Sequence, residues 1–502
     1  MVACTTNITA ALYALGGLFT QVNASWDGCD ALRLTNSAKT FVPGQPVYDY
    51  EVENFWSNHQ IMAPACVFRP TSAEDVAAAL LVNEVTSTEF AVRGGGHMGI
   101  RGANSIDGGP LLVMSNLTTL ELADDHKTVW VGPGLDWGEV YSYLGQFGLG
   151  TTGGRLSPVG VPGLLLGGGI SFHGNQHGWA ADNVVEYEIV LYTGQVVKVT
   201  KDVRADLFWA LKGGSNNFGI VTGFRLKTFP SGDVYAGVYS VTDIPALLEA
   251  IANYSAFNTD PLSHMVPQVV AVDEQTTVGA VILYYDSNED AEPECFRPFW
   301  DLPNVGNTFS KTTLSRFADE TGQLVVPGIN DMFIAGTTVG KTYDSLLKGI
   351  QVSWEAFEAE LPKLFAILPA ADRQLISMDW QPLGDLWLAG SQKANPAGNA
   401  LGFEPEEKGT YLAWAEVVEW RGEEHSEAVY DWIKTTTWKI GNATQEAGVY
   451  DAFHYMGDAA GFQEIYDGYG AANKHKLLSV SRKYDPLRLL QRLWPGGFKL
   501  GL

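Results

Sequence analysis

Apolar positions along this chain recur in two rhythms, and each marks a different kind of element. In "PACVFRPTSAEDVAAALLVNEVTSTEFAVRGGGH" the run ACVFRP reads as a short strand. Thr71 or Ser72 then caps a helix whose apolar positions include Val76, Ala79 and Leu80, spaced at three to four residues. EFAVRG is the next strand, so this part opens as β-α-β. "GPLLVMSNL", "TVWVGPGLDW" and "NVVEYEIVLYTGQVVKVT" follow as strands, the last folded into a hairpin around Thr193-Gly194. "RADLFWALKGGSNNFGIVTGFRLKTFP" reads as helix, glycine-rich turn and strand. Beyond residue 231 the rhythm changes. "VVAVDEQTTVGAVILYYD" and "GTYLAWAEVVEW" alternate with period two, while "YDSLLKGIQVSWEAFEAEL" and "HSEAVYDWIKTTTWKIG" carry helical stripes. The expectation is an α+β protein: a helical lead-in over 1–60 (with "ITAALYALGGLF" as a helix), a mixed domain over 61–230, and a second α+β domain with an antiparallel sheet over 231–450. A tail over 451–502, too short to fold alone, returns to the first domain.

Composition narrows what such a protein does. The 502 residues are 46% hydrophobic and 18% charged, which is a globular balance and too long for one ordinary core. A formal charge of −25 disfavours nucleic acid and anionic membrane surfaces, which would be repelled. No apolar run reaches the roughly 20 residues that span a bilayer. The four cysteines form no CxxC pair, so neither a zinc nor a redox motif is expected. Cys29 with Cys66 is the preferred disulfide, and Cys4 with Cys295 a candidate second pair. Sequons at Asn7, Asn23, Asn116, Asn253 and Asn442 together point to a secreted, extracellular glycoprotein whose signal peptide is already gone.

The 55 glycines cluster: Gly94 to Gly96, Gly132 with Gly134, Gly153 with Gly154, Gly167 to Gly169, and Gly213 with Gly214. Each alone is an ordinary turn, but five clusters among strands suit an extended ligand such as a dinucleotide, whose diphosphate accepts from freed backbone N–H groups. "RGGGHMGIRGANSIDGG" continues as loop and strand, not as the helix a Rossmann motif needs, and no P-loop is present.

"RGGGH" after a strand, "GPGLDWGEVYSYL", "GGGISFHGNQHGWAADNVVEYEIVLYTGQVV", "ADLFWALKGGSNNFGIVTGFRLKTFP" and the terminal "KYDP" together resemble the berberine bridge enzyme-like oxidases of the vanillyl-alcohol oxidase/p-cresol methylhydroxylase (PCMH) flavoproteins. The resemblance is close over the first domain and the tail, and only general over 231–450. It implies a two-part, PCMH-type FAD-binding domain and a substrate domain over the flavin. His97 takes the place of the histidine bonded to the flavin's 8α carbon. Many relatives add a cysteinyl link; here Leu156 stands near that place, and no cysteine lies between Cys66 and Cys295, so a single histidyl bond is expected. Val159 matches a small residue associated with O2 reaching the flavin. By position, Arg93, Gly94, Gly95, Gly96, Met98 and Gly99 would wrap the diphosphate. Pro133, Gly134, Gly154, Val159, Gly160 and Gly163 would line the adenosine and ring, together with Gly168, Gly169, Asn183, Val184, Gly219 and Ile220.

Oxidation by flavin needs a base for the substrate's proton. The family's Y-x-N-Y-x-D segment reads "HYMGDAAG" here, with Gly457 and Asp458 where asparagine and tyrosine stand, so Asp458 becomes a candidate base. His177, expected near the flavin, is a second, because histidine titrates near neutrality. With His173 it lacks a third ligand for a metal. On "GTYLAWAEVVEW", Ala413, Ala415 and Val417 share one face and Trp414, Glu416 and Val418 the other; alanines over the flavin would leave the strand without a base. The expected function is a secreted FAD oxidase, monomeric, taking a small-molecule alcohol such as a sugar or oligosaccharide and O2 to H2O2. A phenolic or other secondary-metabolite substrate, dehydrogenase activity, and a flavin-bearing binding protein with little turnover are the alternatives.

Overall fold

The computed structural model describes residues 26–501. The helix expected over "ITAALYALGGLF" and Cys4, the partner suggested for Cys295, fall on residues outside them. The disulfide Cys29–Cys66 is formed and ties helix Gly28–Thr35 to strand Cys66–Phe68. That strand and Ala91–Arg93 both run parallel to Pro110–Val113, with Thr40–Phe41 antiparallel on the edge. Helix Ala73–Thr86 makes the crossover; Ser72, not Thr71, caps it by accepting from the Asp75 backbone N–H. A second, antiparallel sheet of five strands contains the expected hairpin, Val184–Val190 with Val196–Thr200, turning at Gly194 (φ +73°).

The chain then builds one large antiparallel sheet. Its central order is Asp233–Val241, Thr277–Tyr285, Ser263–Ala271, Arg373–Leu383, Thr410–Trp420 and Asn330–Gly340. Period-two alternation gives this sheet two faces. On one, Met378, Trp380, Leu412, Trp414, Val418 and Trp420 are buried beneath helices Ile244–Phe257, Tyr343–Glu358 and Ser426–Glu446. The other face looks toward the glycine-rich loops of the first region, and the cleft lies between.

Residues beyond 470 return to the first region through Asn217. Its amide donates to Gly214 O (2.8 Å), Tyr466 Oη (2.8 Å) and Phe498 O (3.0 Å), while its oxygen accepts from Gln491 and the Leu500 N–H. Asp485 of "KYDP" caps the turn that follows, accepting from the backbone of Leu489 and Leu490. No helix among the described residues is long and apolar enough to cross a membrane.

Candidate active site

Strand Ala91–Arg93 ends in the RGGGH loop, and the reason for its glycines is contact between loops. A Cβ on Gly95 would stand 2.4 Å from Gly160 Cα, and one on Gly94 would stand 2.4 Å from Pro162 Cγ. Gly96 has φ +71°, which a side chain rarely adopts. So the RGGGH loop and the Gly160 loop meet backbone to backbone, and the next residue, His97, is carried to the wall of a cleft of about 380 Å³. The His97 ring stacks on Trp56 (centroids 5.6 Å). One ring N–H donates to the Pro158 carbonyl; burial outweighs that bond and pulls the imidazole pKa down to about 4. The ring is therefore neutral at physiological pH, with its second nitrogen a free lone pair.

Gly94, Gly95, Gly96, Met98 and Gly99 line the same cleft, as do Pro133, Gly154, Val159, Gly160, Gly163, Gly219 and Ile220. Other residues expected there are placed elsewhere. Strand alternation turns Val92 to the cleft and Arg93 away, where its guanidinium binds the Glu51 carboxylate and backbone and covers Phe55. Gly134 packs on the Met114 carbonyl, Gly168 on Leu401, and Gly169 on Leu164 and Ala180. Asn183 donates to the carbonyls of His177 and Trp179, and the Val184 carbonyl holds the buried Lys212 ammonium. His177 is also away from the cleft: it stacks on Phe229 at 4.3 Å, beside His173. Burial first, then the charge of His173, lowers its pKa to about 4.

The sheet supplies the cleft's other wall. Asp379 pairs in register with Ala415, and Leu375 with Glu419. Gln381 Nε2 donates to Asp458 Oδ2 (3.1 Å) and to Asp379 Oδ1 (3.3 Å), so one amide bridges two carboxyls. Asp458 sits in the turn Met456–Asp458, and both aspartates line the cleft. Burial, then repulsion from Asp458, raises Asp379 to about 8; burial raises Asp458 to about 6, with the Arg155 charge and the Gln381 bond opposing. The pair titrates as a unit and carries one proton near neutrality. Across the sheet, Asp331 faces Glu419. Burial lifts both carboxyls, and the Glu419 charge lifts Asp331 further.

Several of these residues escaped the sequence reading. Asp379 and Gln381 carried a signal, since Ser377, Asp379 and Gln381 alternate with apolar residues over 375–383. Glu419 simply continues the Ala413, Ala415, Val417 face by one more step. Arg155 carried none: its side chain lines the cleft only because its loop folds against Thr321, whose hydroxyl donates to the Arg155 carbonyl.

A family profile described as "FAD binding domain" matches residues 64–200. The FAD-dependent monooxygenase prx3 of Penicillium roqueforti is 33% identical, over 94% of this chain and 93% of its own length. This chain belongs to the berberine bridge enzyme-like FAD oxidoreductases. Solved structures agree in fold. The 6-hydroxy-D-nicotine oxidase of Arthrobacter nicotinovorans matches with TM-score 0.75 and 21% identity, over 90% of this chain and 96% of that one. A chitooligosaccharide oxidase matches with TM-score 0.72 and 18% identity, over 94% and 100% respectively.

The berberine bridge enzyme-like cleft also fits FAD on its own chemistry. It is long and mostly loop-walled, yet several polar atoms along it are buried without a partner: Asn104 Oδ1, Arg155 Nη1, Asn216 Oδ1 and Trp494 Nε1. A ligand bearing both donors and acceptors would satisfy them. Gly163 leaves open space where a side chain would project.

Proposed function

We propose that this protein is an FAD-dependent oxidase of a largely apolar hydroxyl-bearing molecule, such as a phenolic or benzylic alcohol. The Asp379–Gln381–Asp458 group at the edge of an apolar floor carries this reading. Phe333, Leu375 and Val417 form that floor, and Leu324, Val325 and Phe172 stand around it. Such a surface suits flat rings better than sugars. A sugar or oligosaccharide is the second reading, favoured by the acceptors Gln268, Asp331 and Glu419 on the same wall.

Bound flavin would accept the hydride and pass two electrons to O2, giving H2O2. The chain's own work is to orient the substrate and take its proton. Asp458 would accept the hydroxyl proton as the C–H bond breaks; Gln381 fixes the carboxylate's direction, and Asp379 keeps a proton close by without adding a second charge. Arg155 places a positive charge beside both aspartates, which favours the ionised base.

Covalent attachment at His97 alone is part of the same proposal. A neutral ring with a free nitrogen at the cleft wall supports it, and Leu156 lines the cleft where relatives place cysteine. Secretion is proposed too, supported by the Cys29–Cys66 disulfide. The test is a panel of benzylic alcohols, phenols and oligosaccharides scored for peroxide release and anaerobic bleaching of the flavin. Bleaching by sugars alone would replace the apolar reading with the second. Bleaching by none would leave a flavin-bearing binding protein.

A further inference from the structure

Asp331 and Glu419 stand directly opposite each other on the antiparallel pair Asn330–Gly340 and Thr410–Trp420. Both are buried, at 1% and 4% exposure, and both line the cleft. Two ionised carboxyls in that arrangement would repel, and burial with that repulsion holds a proton on Asp331, which Glu419 accepts as a hydrogen bond. No cationic side chain among the described residues acts on either one. The near neighbours are the Trp56 indole and the Glu419 carboxyl, both hydrogen-bonded to the Asp331 carboxyl, whose Oδ1 has no partner of its own. Phe333, two residues along the same face, packs on Trp56 with centroids 5.3 Å apart. The corner therefore offers a hydrogen-bonded pair of acids and two aromatic rings, with no cationic side chain beside them among the described residues.

We infer that the Asp331–Glu419 corner is a subsite for a protonated amine carried by the substrate. An inorganic cation fits poorly. Calcium and magnesium take six or more oxygen ligands, and no group of three or more metal-binding side chains occurs among the described residues. An organic ammonium needs fewer partners and gains from aromatic faces. Glu419 is four residues from Ala415, the partner of Asp379, so the corner lies about 13 Å along the sheet from Asp379, which Gln381 bridges to Asp458. The substrate would be anchored by its charged nitrogen at one end and oxidised at the other.

The inference rests on reading the cleft as a substrate site, so its test avoids turnover. Anaerobic holoprotein is titrated by calorimetry with 2-phenylethylammonium chloride and, separately, with 2-phenylethanol. The ammonium is expected to bind roughly 10-fold or more tightly. Glu419→Gln and Asp331→Asn, both close in shape to the native residues, should remove most of that preference while the protein stays yellow. Asp458→Asn should retain it. Equal binding of the two probes, or an undiminished preference in both carboxamide variants, overturns the subsite. So does a thermal shift with calcium chloride alone that the ammonium does not produce. Flavin content and peroxide release are scored separately: a yellow, peroxide-forming protein without the preference refutes only this inference.

Discussion

Gln381 holds two carboxyls with one amide, and the consequences are individual to each. Asp458 must be ionised to accept a proton, so flavin reduction should fall as pH drops through about 6. Asp458→Asn should slow anaerobic reduction by about 10²–10⁴-fold and abolish that acid limb, read by stopped-flow absorbance. Asp379 behaves differently. Its raised pKa means that the stability present when it is protonated is lost as pH climbs from about 4, the ordinary carboxyl value, to about 8. Asp379→Asn does not titrate. Its melting temperature relative to the native protein should rise across that window and level off above it. At His97 the readout is colour: if the proposed tether forms, acid-precipitated native protein should keep its yellow in the pellet, and His97→Ala should release it to the supernatant. His97 stood out in the sequence because its motif is local. Gln381 did not, because its bond to Asp458 spans 77 positions that only folding closes.

Loops and strands reward different evidence. The glycines of RGGGH were legible as an unusual loop, but their purpose was not. Gly95 and Gly160 are 65 positions apart and exclude side chains because they touch each other. Gly160→Ala would place its Cβ 2.5 Å from Gly95 Cα, so the two loops must separate. A loss of about 1–3 kcal/mol is expected, with less flavin bound per chain, read by urea unfolding and by the flavin-to-protein absorbance ratio. On the strand Thr410–Trp420 the two faces were readable from alternation, and the structure assigns the alanine face to the cleft. What alternation alone lacked was register. Which acid meets which across the ladder depends on strands up to 90 positions away, as Asp331 and Glu419 illustrate. Arg93 shows the converse, for a motif position beside the glycine loop still obeys the strand's period and points away from the cleft.

At the level of the molecule, the α+β class and the large antiparallel sheet followed from hydrophobic rhythm, whereas the cleft exists only where two separately built regions meet. A clasp helps to hold them. Asp182 accepts from Ser391, Asn395 and Asn399, joining residues more than 200 positions apart. The Cys29–Cys66 bridge closes a 37-residue separation at the periphery. Replacing both cysteines by serine should cost about 2–4 kcal/mol in chemical unfolding, leaving peroxide formation intact at low temperature.

The return of residues beyond 470 sets a clock. Trp494 lines the cleft, and the Leu493 carbonyl accepts from the Phe90 N–H at 2.7 Å, beside the strand that leads into RGGGH. Synthesis is vectorial, so this wall leaves the ribosome after every other one. A nascent chain halted before residue 485 would own His97 and the aspartates yet lack a closed place for a dinucleotide. Cofactor capture should therefore wait until the residues around Trp494 have been made, which would spare a shorter nascent chain from carrying a reactive oxidant.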